Sequence, residues 1–284
     1  MTGQGVAGVL PCIAQIVSVL SVQSQKSVPA PNDSVPSPNP PAPGPQPVKS
    51  TAALAYFLTA TIISVTTLFA FSYLATSHRH RQSATHHPST SSPETPDDPQ
   101  PDRERKEVSL RLLFRKLSWL ATAVFVVFAI TMVFPVYTQR IVSVRPSTDQ
   151  PAYLQPASFI PLAFLFWNIG DLVGRLLTAV PALSLVRRPR IVFLLALLRV
   201  AWIGLYHLCN VRGKGAVVDS DLFYLVVVQM LFGLSNGYLG STCMIGAGEW
   251  VDPEEREAAG GFMGLCLVAG LAVGSLASFF AAGA

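Results

Sequence analysis

FWNIGDLVGR, residues 166 to 175, sets Asp171 and Arg175 four positions apart in a stretch that is otherwise apolar enough for lipid, with Phe159 to Leu165 before it and Leu176 to Val180 after it. Either it is a soluble helix with a charged face, or it is a membrane helix that keeps ions for a purpose. Composition separates the two. Half of the 284 residues are hydrophobic, only 13% are charged, and the mean hydropathy is +0.44, too apolar for a chain of this length dissolved in water.

A helix needs about 20 apolar residues to cross a hydrocarbon core. Charge-free runs of that class lie near residues 5–22, 51–75, 118–138, 222–248 and 258–283. Two more, near 157–180 and 190–208, match them except for Asp171 and Arg175 in the first and Arg199 in the second. The runs lack a period of two, and backbone amides in lipid need internal partners, so the expected fold is an all-α multi-pass membrane protein with about seven transmembrane helices. Residues 1–20 lack the basic start of a secretory signal and read as the first of these helices.

The four cysteines, Cys12, Cys209, Cys243 and Cys266, fall within or at the end of the spans without a CxxC pattern and read as small packing residues. Of the histidines, His78, His80, His86 and His87 sit in a polar loop that reads as a solvated linker. Lys and Arg are unevenly placed. Loops 76–117, 184–189 and 249–257, with Arg190 just beyond the second, carry twelve; loops 23–50, 139–156 and 209–221 carry six. The first set is therefore expected to be cytoplasmic. The Asn32-Asp33-Ser34 sequon then falls on the other side, in a proline-rich linker over 23–50. Loop 76–117 is polar, rich in Ser and Pro and mixed in charge, and is expected to be disordered. Its end, VSLRLLFRKL, also fits an amphipathic helix on anionic lipid.

At 100° per residue Phe164, Asn168, Asp171, Arg175 and Thr178 share one narrow stripe, while Gly170 and Gly174 lie on another flank where a neighbouring helix can approach closely. Asp171 and Arg175 could simply neutralise each other. An unpaired ion at mid-membrane costs at least about 3 kcal/mol, however, and intramembrane ions usually line a cavity or solute path. With the amide of Asn168 and the ring of Phe164, the stripe suits a flat, hydrogen-bonding solute such as a nucleobase with its sugar. Arg199 marks either a bend, with Gly204 little more than a turn later, or a pair with a carboxylate or carbonyl of another helix. Gly233-xxx-Gly237 and Gly260-xxx-Gly264 read as a hairpin with close helix contacts, extended by Gly270-xxx-Gly274. Pro253 with Glu254, Glu255 and Glu257 reads as the start of the last helix. No Ser/His, HExxH or paired-aspartate arrangement in the spans points to an enzyme.

FWNIGDLVGR, LLRVAWIGLYHLCN, LSNGYLGSTCMI with its Asn236, the turn PEEREAAG and a glycine-rich last helix, in this order, resemble the equilibrative nucleoside transporter family. The opening GQGVAGVLPCIAQIVSV is similar to that family's fifth helix. The resemblance implies a major-facilitator-like transporter moving purine and pyrimidine nucleosides by alternating access. It needs no cofactor, has nucleosides and the bilayer as partners, and binds no nucleic-acid polymer. It assigns Asn168, Asp171 and Arg175 to the substrate cavity and matches Arg199 to an arginine of the ninth helix, with Gly204 at that helix's breaking position; Phe164 joins the cavity set from the stripe, and Arg199, Gly204, Asn236, Gly170 and Gly174 are expected to serve structure or gating. It makes residues 1–22 the fifth helix and 118–284 the five-helix C-terminal half of a partial fold whose first four helices have no counterpart here. Two readings follow: a transporter or truncated form of one, or a non-transporting membrane subunit that pairs with another transporter chain. Asp171 could serve as solute ligand or as proton carrier, and the membrane could be the plasma or the vacuolar membrane.

Overall fold

The computed structural model describes residues 8–17, 19–20, 58, 61–62, 64–73, 76, 108–146, 148 and 150–283. Loop 23–50 and most of loop 76–117 lie outside the described residues, and the spans expected near 5–22 and 51–75 are described in part. The chain forms two compact units, one of Met1–Pro31 with Lys106–Ala284 and one of Asn32–Arg105. In the second, residues 64–73 are helical (α2), and the Thr66 hydroxyl donates to the carbonyl of Ile62 at 2.8 Å, which meets its hydrogen-bonding need inside the helix.

The first unit holds α1 (Gly8–Val17) and five helical spans, Leu110–Thr138, Pro156–Leu177, Pro189–His207, Phe223–Glu249 and Pro253–Phe280, each long and apolar enough to cross a membrane. These agree with the expected segments, except that the first begins at Leu110 and not near 118. VSLRLLFRKL is therefore the start of a span, because Leu113, Leu117 and Leu120 continue the buried stripe of that helix. The span consists of α3 (Leu110–Thr131) and α4 (Val133–Thr138). The break falls where Pro135 cannot donate to the carbonyl of Thr131 four residues back.

The second span is α5 (Pro156–Leu177). The third is α6 (Pro189–Leu198) and α7 (Ala201–His207), separated by i→i−3 bonds from Arg199 to Ala196 at 3.3 Å and from Val200 to Leu197 at 3.0 Å. The interruption is thus at Arg199, whose guanidinium is drawn inward to other helices. Gly204 sits inside α7 with nothing within 4 Å of the side chain it lacks, so it is not the bend. The fourth span opens with a π-helical segment, Phe223–Met230, and continues as α8 (Leu231–Glu249). The last helix is α9 (Arg256–Gly283), preceded by a turn in which Asp252 and Glu255 form a capping box, the helix start that its acidic residues imply. Lys116 of α3 reaches both of these carboxylates, at 3.0 and 2.6 Å.

Two apolar cores form. One gathers Leu117, Val124, Val192, Leu239, Cys243 and Met263; the other gathers Phe134, Phe159, Tyr206, Tyr224 and Phe232. α5 packs chiefly on α8, and α9 on α3. The α5–α8 contact is backbone on backbone: a Cβ on Gly170 would meet Met230 O and, at 2.9 Å, Leu234 N, and one on Gly237 would meet Asp171 O. Gly270 and Gly274 lie in the same way against Phe125 and Ala129 of α3. Gly260 and Gly264 have open space around them, so the expected close hairpin contact through them is not formed. The motif permits close approach, but here α9 leans mainly on α3 and touches its hairpin neighbour α8 less, through side chains such as Met263 in the shared core.

The loops at one end are tied together. Ile141 and Val211 form an isolated antiparallel bridge, and Asp221 accepts from the Ser143 hydroxyl at 2.7 Å and from Val144 N at 3.0 Å. Beneath them Cys209 is 4% exposed, and burial pushes its thiol up to about 12. All four cysteines are free thiols, as their spacing suggests. Because only the thiolate is nucleophilic, a variant retaining Cys209 alone is expected to resist maleimide in detergent at pH 7–8. Labelling should rise only as the pH climbs toward 12 or the protein unfolds; rapid labelling at neutral pH would mean that this end is open.

Candidate functional site

α5 begins with Pro156 at its first turn, where a missing N–H costs nothing, and carries its polar stripe midway along the span. Asp171 is 4% exposed. Its Oδ2 accepts from Arg175 Nε at 2.7 Å, one helical turn on, and its Oδ1 accepts from Asn236 Nδ2 of α8 at 2.7 Å. The close approach of α5 and α8 through Gly170, Gly174, Gly233 and Gly237 is what allows so short a side chain as Asn236 to reach across.

Asn236 is held from behind. Its Oδ1 lies 2.7 Å from the Thr131 hydroxyl of α3 and 3.4 Å from Arg199 Nη1, and Arg199 Nη2 donates to Thr131 Oγ1 at 2.9 Å. Arg199 is 1% exposed, and its guanidinium also lies over the Phe232 ring, 4.5 Å from the centroid. The partner of Arg199 is thus a hydroxyl and an amide on two helices, with Asp171 reached through Asn236. Five side chains from α3, α5, α8 and the α6–α7 junction form one buried chain running Arg199, Asn236, Asp171, Arg175, with Thr131 at its side.

The other expected residues lie elsewhere on the stripe. Asn168 turns toward α1: its Nδ2 donates to Phe164 O at 2.8 Å and lies 3.6 Å from Cys12 Sγ, and its side chain abuts Gly8. Phe164 meets Phe134 edge-on at 4.9 Å. Trp167, which the stripe did not include, stacks on Phe134 at 4.5 Å and 15°, and its buried indole N–H has no partner among the described residues. Gly170 and Gly174 pack helices, as their flank implies, while Gly204 touches nothing. Thr131 and Trp167 are the polar-capable groups that the sequence reading missed. A lone threonine or tryptophan in an apolar helix carries no spacing signal.

A buried carboxyl group with a guanidinium donor on one oxygen and an amide donor on the other is fixed in direction. Each of its oxygens keeps a lone pair for a further donor. Trp167 and Phe164 lie one and two turns before it on α5, the first stacked on Phe134 and the second edge-on to it.

A sequence model of the nucleoside transporter family matches residues 1–282. Among similar proteins, the nucleoside transporter FUN26 of Saccharomyces cerevisiae is 35% identical over 193 residues, 64% of this chain and 36% of that protein. Human equilibrative nucleoside transporter 1 is 34% identical over 179 residues, 60% of this chain and 37% of its own length. Human equilibrative nucleoside transporter 2 is 35% identical over 188 residues, 65% of this chain and 39% of its own length. The chain thus spans well under half the length of each of these relatives. With nearly every residue matched by the family model, and with an all-helical membrane fold, the chain belongs to the nucleoside transporter family.

Proposed function

We propose that the protein moves purine and pyrimidine nucleosides across a membrane by alternating access, with Asp171 as the group that receives the solute's donors. The observation that carries this reading is the Arg175–Asp171–Asn236 arrangement, which holds an acceptor aimed in a position where an idle ionisable group would be costly. Phe164 and Trp167 supply ring faces for a base, and the free indole N–H of Trp167 supplies a donor. Asn168, packed against α1, places an amide one turn from Asp171 on the same helix. The names of the similar proteins support the same substrate class.

The test is uptake of radiolabelled adenosine and uridine by nucleoside-transport-deficient cells expressing this chain, in parallel with the chain extended by any coding sequence upstream at its locus. Saturable uptake by either form is expected. Its absence from both, with the protein present in the membrane, would sink the proposal.

A further inference from the structure

Three helical spans each place two polar residues seven positions apart: Thr131 and Thr138, Arg199 and Tyr206, Gln229 and Asn236. Seven residues are about two helical turns, so each pair lies on one face. The six side chains assemble into two buried triads. In one, Thr131, Arg199 and Asn236 bond to one another. In the other, Gln229 Nε2 donates to Thr138 Oγ1 at 2.8 Å and to Tyr224 at 2.6 Å, while the Tyr206 hydroxyl donates to Gln229 Oε1 at 3.1 Å. Phe232 touches a member of each, lying under Arg199 and 6.2 Å from Tyr206. The triads share helices, burial and chemistry, but they differ in one respect. Among the described residues, the first bonds to Asp171, through Asn236, and the second does not.

That difference has a chemical basis. Asn236 stands between a carboxylate, which only accepts, and a guanidinium, which only donates. Only one orientation of its amide satisfies both, with N–H toward Asp171 and oxygen toward Arg199 and Thr131. Thr131 supports this orientation from both sides. Its hydroxyl oxygen takes the Arg199 donor and lies 2.7 Å from each of Asn236 Oδ1 and Val127 O, the two acceptors its one proton can serve.

We propose that Thr131, acting with Arg199 through Asn236, is a positioning residue for Asp171: it fixes the amide that fixes the carboxylate, and so sets affinity for the solute without touching it. The second triad is its structural counterpart and has no part in recognition. The inference rests on the reading of Asp171 as the solute-facing acceptor.

The matched pair Thr131→Val and Thr138→Val tests it. Each substitution removes one buried hydroxyl and preserves side-chain shape. Thr131→Val is expected to raise KM for adenosine on the order of tenfold at unchanged surface amount, Thr131→Ser to restore it, and Thr138→Val to leave KM within about twofold. A second readout needs no transport: double-mutant cycles on the melting temperature of purified protein. Thr131→Val combined with Asp171→Asn should be non-additive, and Thr138→Val combined with Asp171→Asn additive. Equal KM shifts for the two threonine variants, an unmoved KM for Thr131→Val, or additivity of the first pair would overturn the proposal. Should either valine variant not reach the membrane, the alanine variants at both positions carry the same comparison. If the wild type carries no nucleoside, the transport reading fails by itself, and the cycles still decide the link from Thr131 to Asp171.

Discussion

Replacing Asp171 by asparagine is expected to lower nucleoside uptake by about 100-fold or more while membrane insertion stays intact. The substitution is nearly isosteric, so packing against α8 survives and the asparagine oxygen still accepts from Asn236. Its other face is now an amide donor turned toward Arg175 Nε, where an acceptor stood 2.7 Å away. The guanidinium loses this counter-charge in a place poor in water, and the solute proposed to bind there loses its acceptor. Arg175→Ala removes the other half of the pair and should be equally damaging. Initial rates of labelled adenosine uptake, normalised to surface-biotinylated protein, measure both. Uptake near the wild-type rate in Asp171→Asn would remove Asp171 from the solute path.

The second large effect concerns folding. Gly237→Ala is expected to cost about 3 kcal/mol or more, lowering the melting temperature and the yield of monodisperse protein. The new methyl would land on the carbonyl oxygen of Asp171, a backbone atom in the middle of a helix that cannot step aside as a side chain could. Gly170→Ala meets Met230 O and should behave alike. Gly264→Ala is the contrast. Its surroundings are open, so the only change is that alanine is the better helix former, a gain of roughly 0.5–1 kcal/mol in helices in general. Thermal unfolding in detergent, followed by size-exclusion fluorescence, separates the three. Equal responses at Gly237 and Gly264 would mean that α5 and α8 are further apart than described.

This contrast also marks the limit of what was legible in the sequence. Apolar runs of the right length announce spans, and those over 157–180, 190–208, 222–248 and 258–283 came out within a few residues of their observed bounds, because lipid leaves the backbone no alternative to the helix. The flank of Gly170 and Gly174 was readable from helical phase. A small-xxx-small pair states only that a helix can come close, however. It does not say that Gly270 and Gly274 meet α3 while Gly260 and Gly264 meet nothing.

The Asp171–Arg175 pair was visible because its members are one turn apart on the same helix. The bonds from Thr131 to Asn236 and from Arg199 to Thr131 join residues 105 and 68 positions apart, and nothing local encodes such pairings. Asn168 was placed on the right stripe, yet its direction toward α1 depends on a neighbour that helical phase alone could not identify. The interruption at Arg199 was one of two readings left open, since its neighbours Leu198 and Val200 give no breaker signal that would have decided between a bend and a bond to another helix.

Because α5 and α8 touch through main chain, with no side-chain layer between them to act as a bearing, neither can slide or roll along the other without collision. The pair behaves mechanically as one thick rod. Any displacement of α5 that moves Asp171 would therefore move Asn236 with it, and relative motion of the helices is expected at surfaces other than this one.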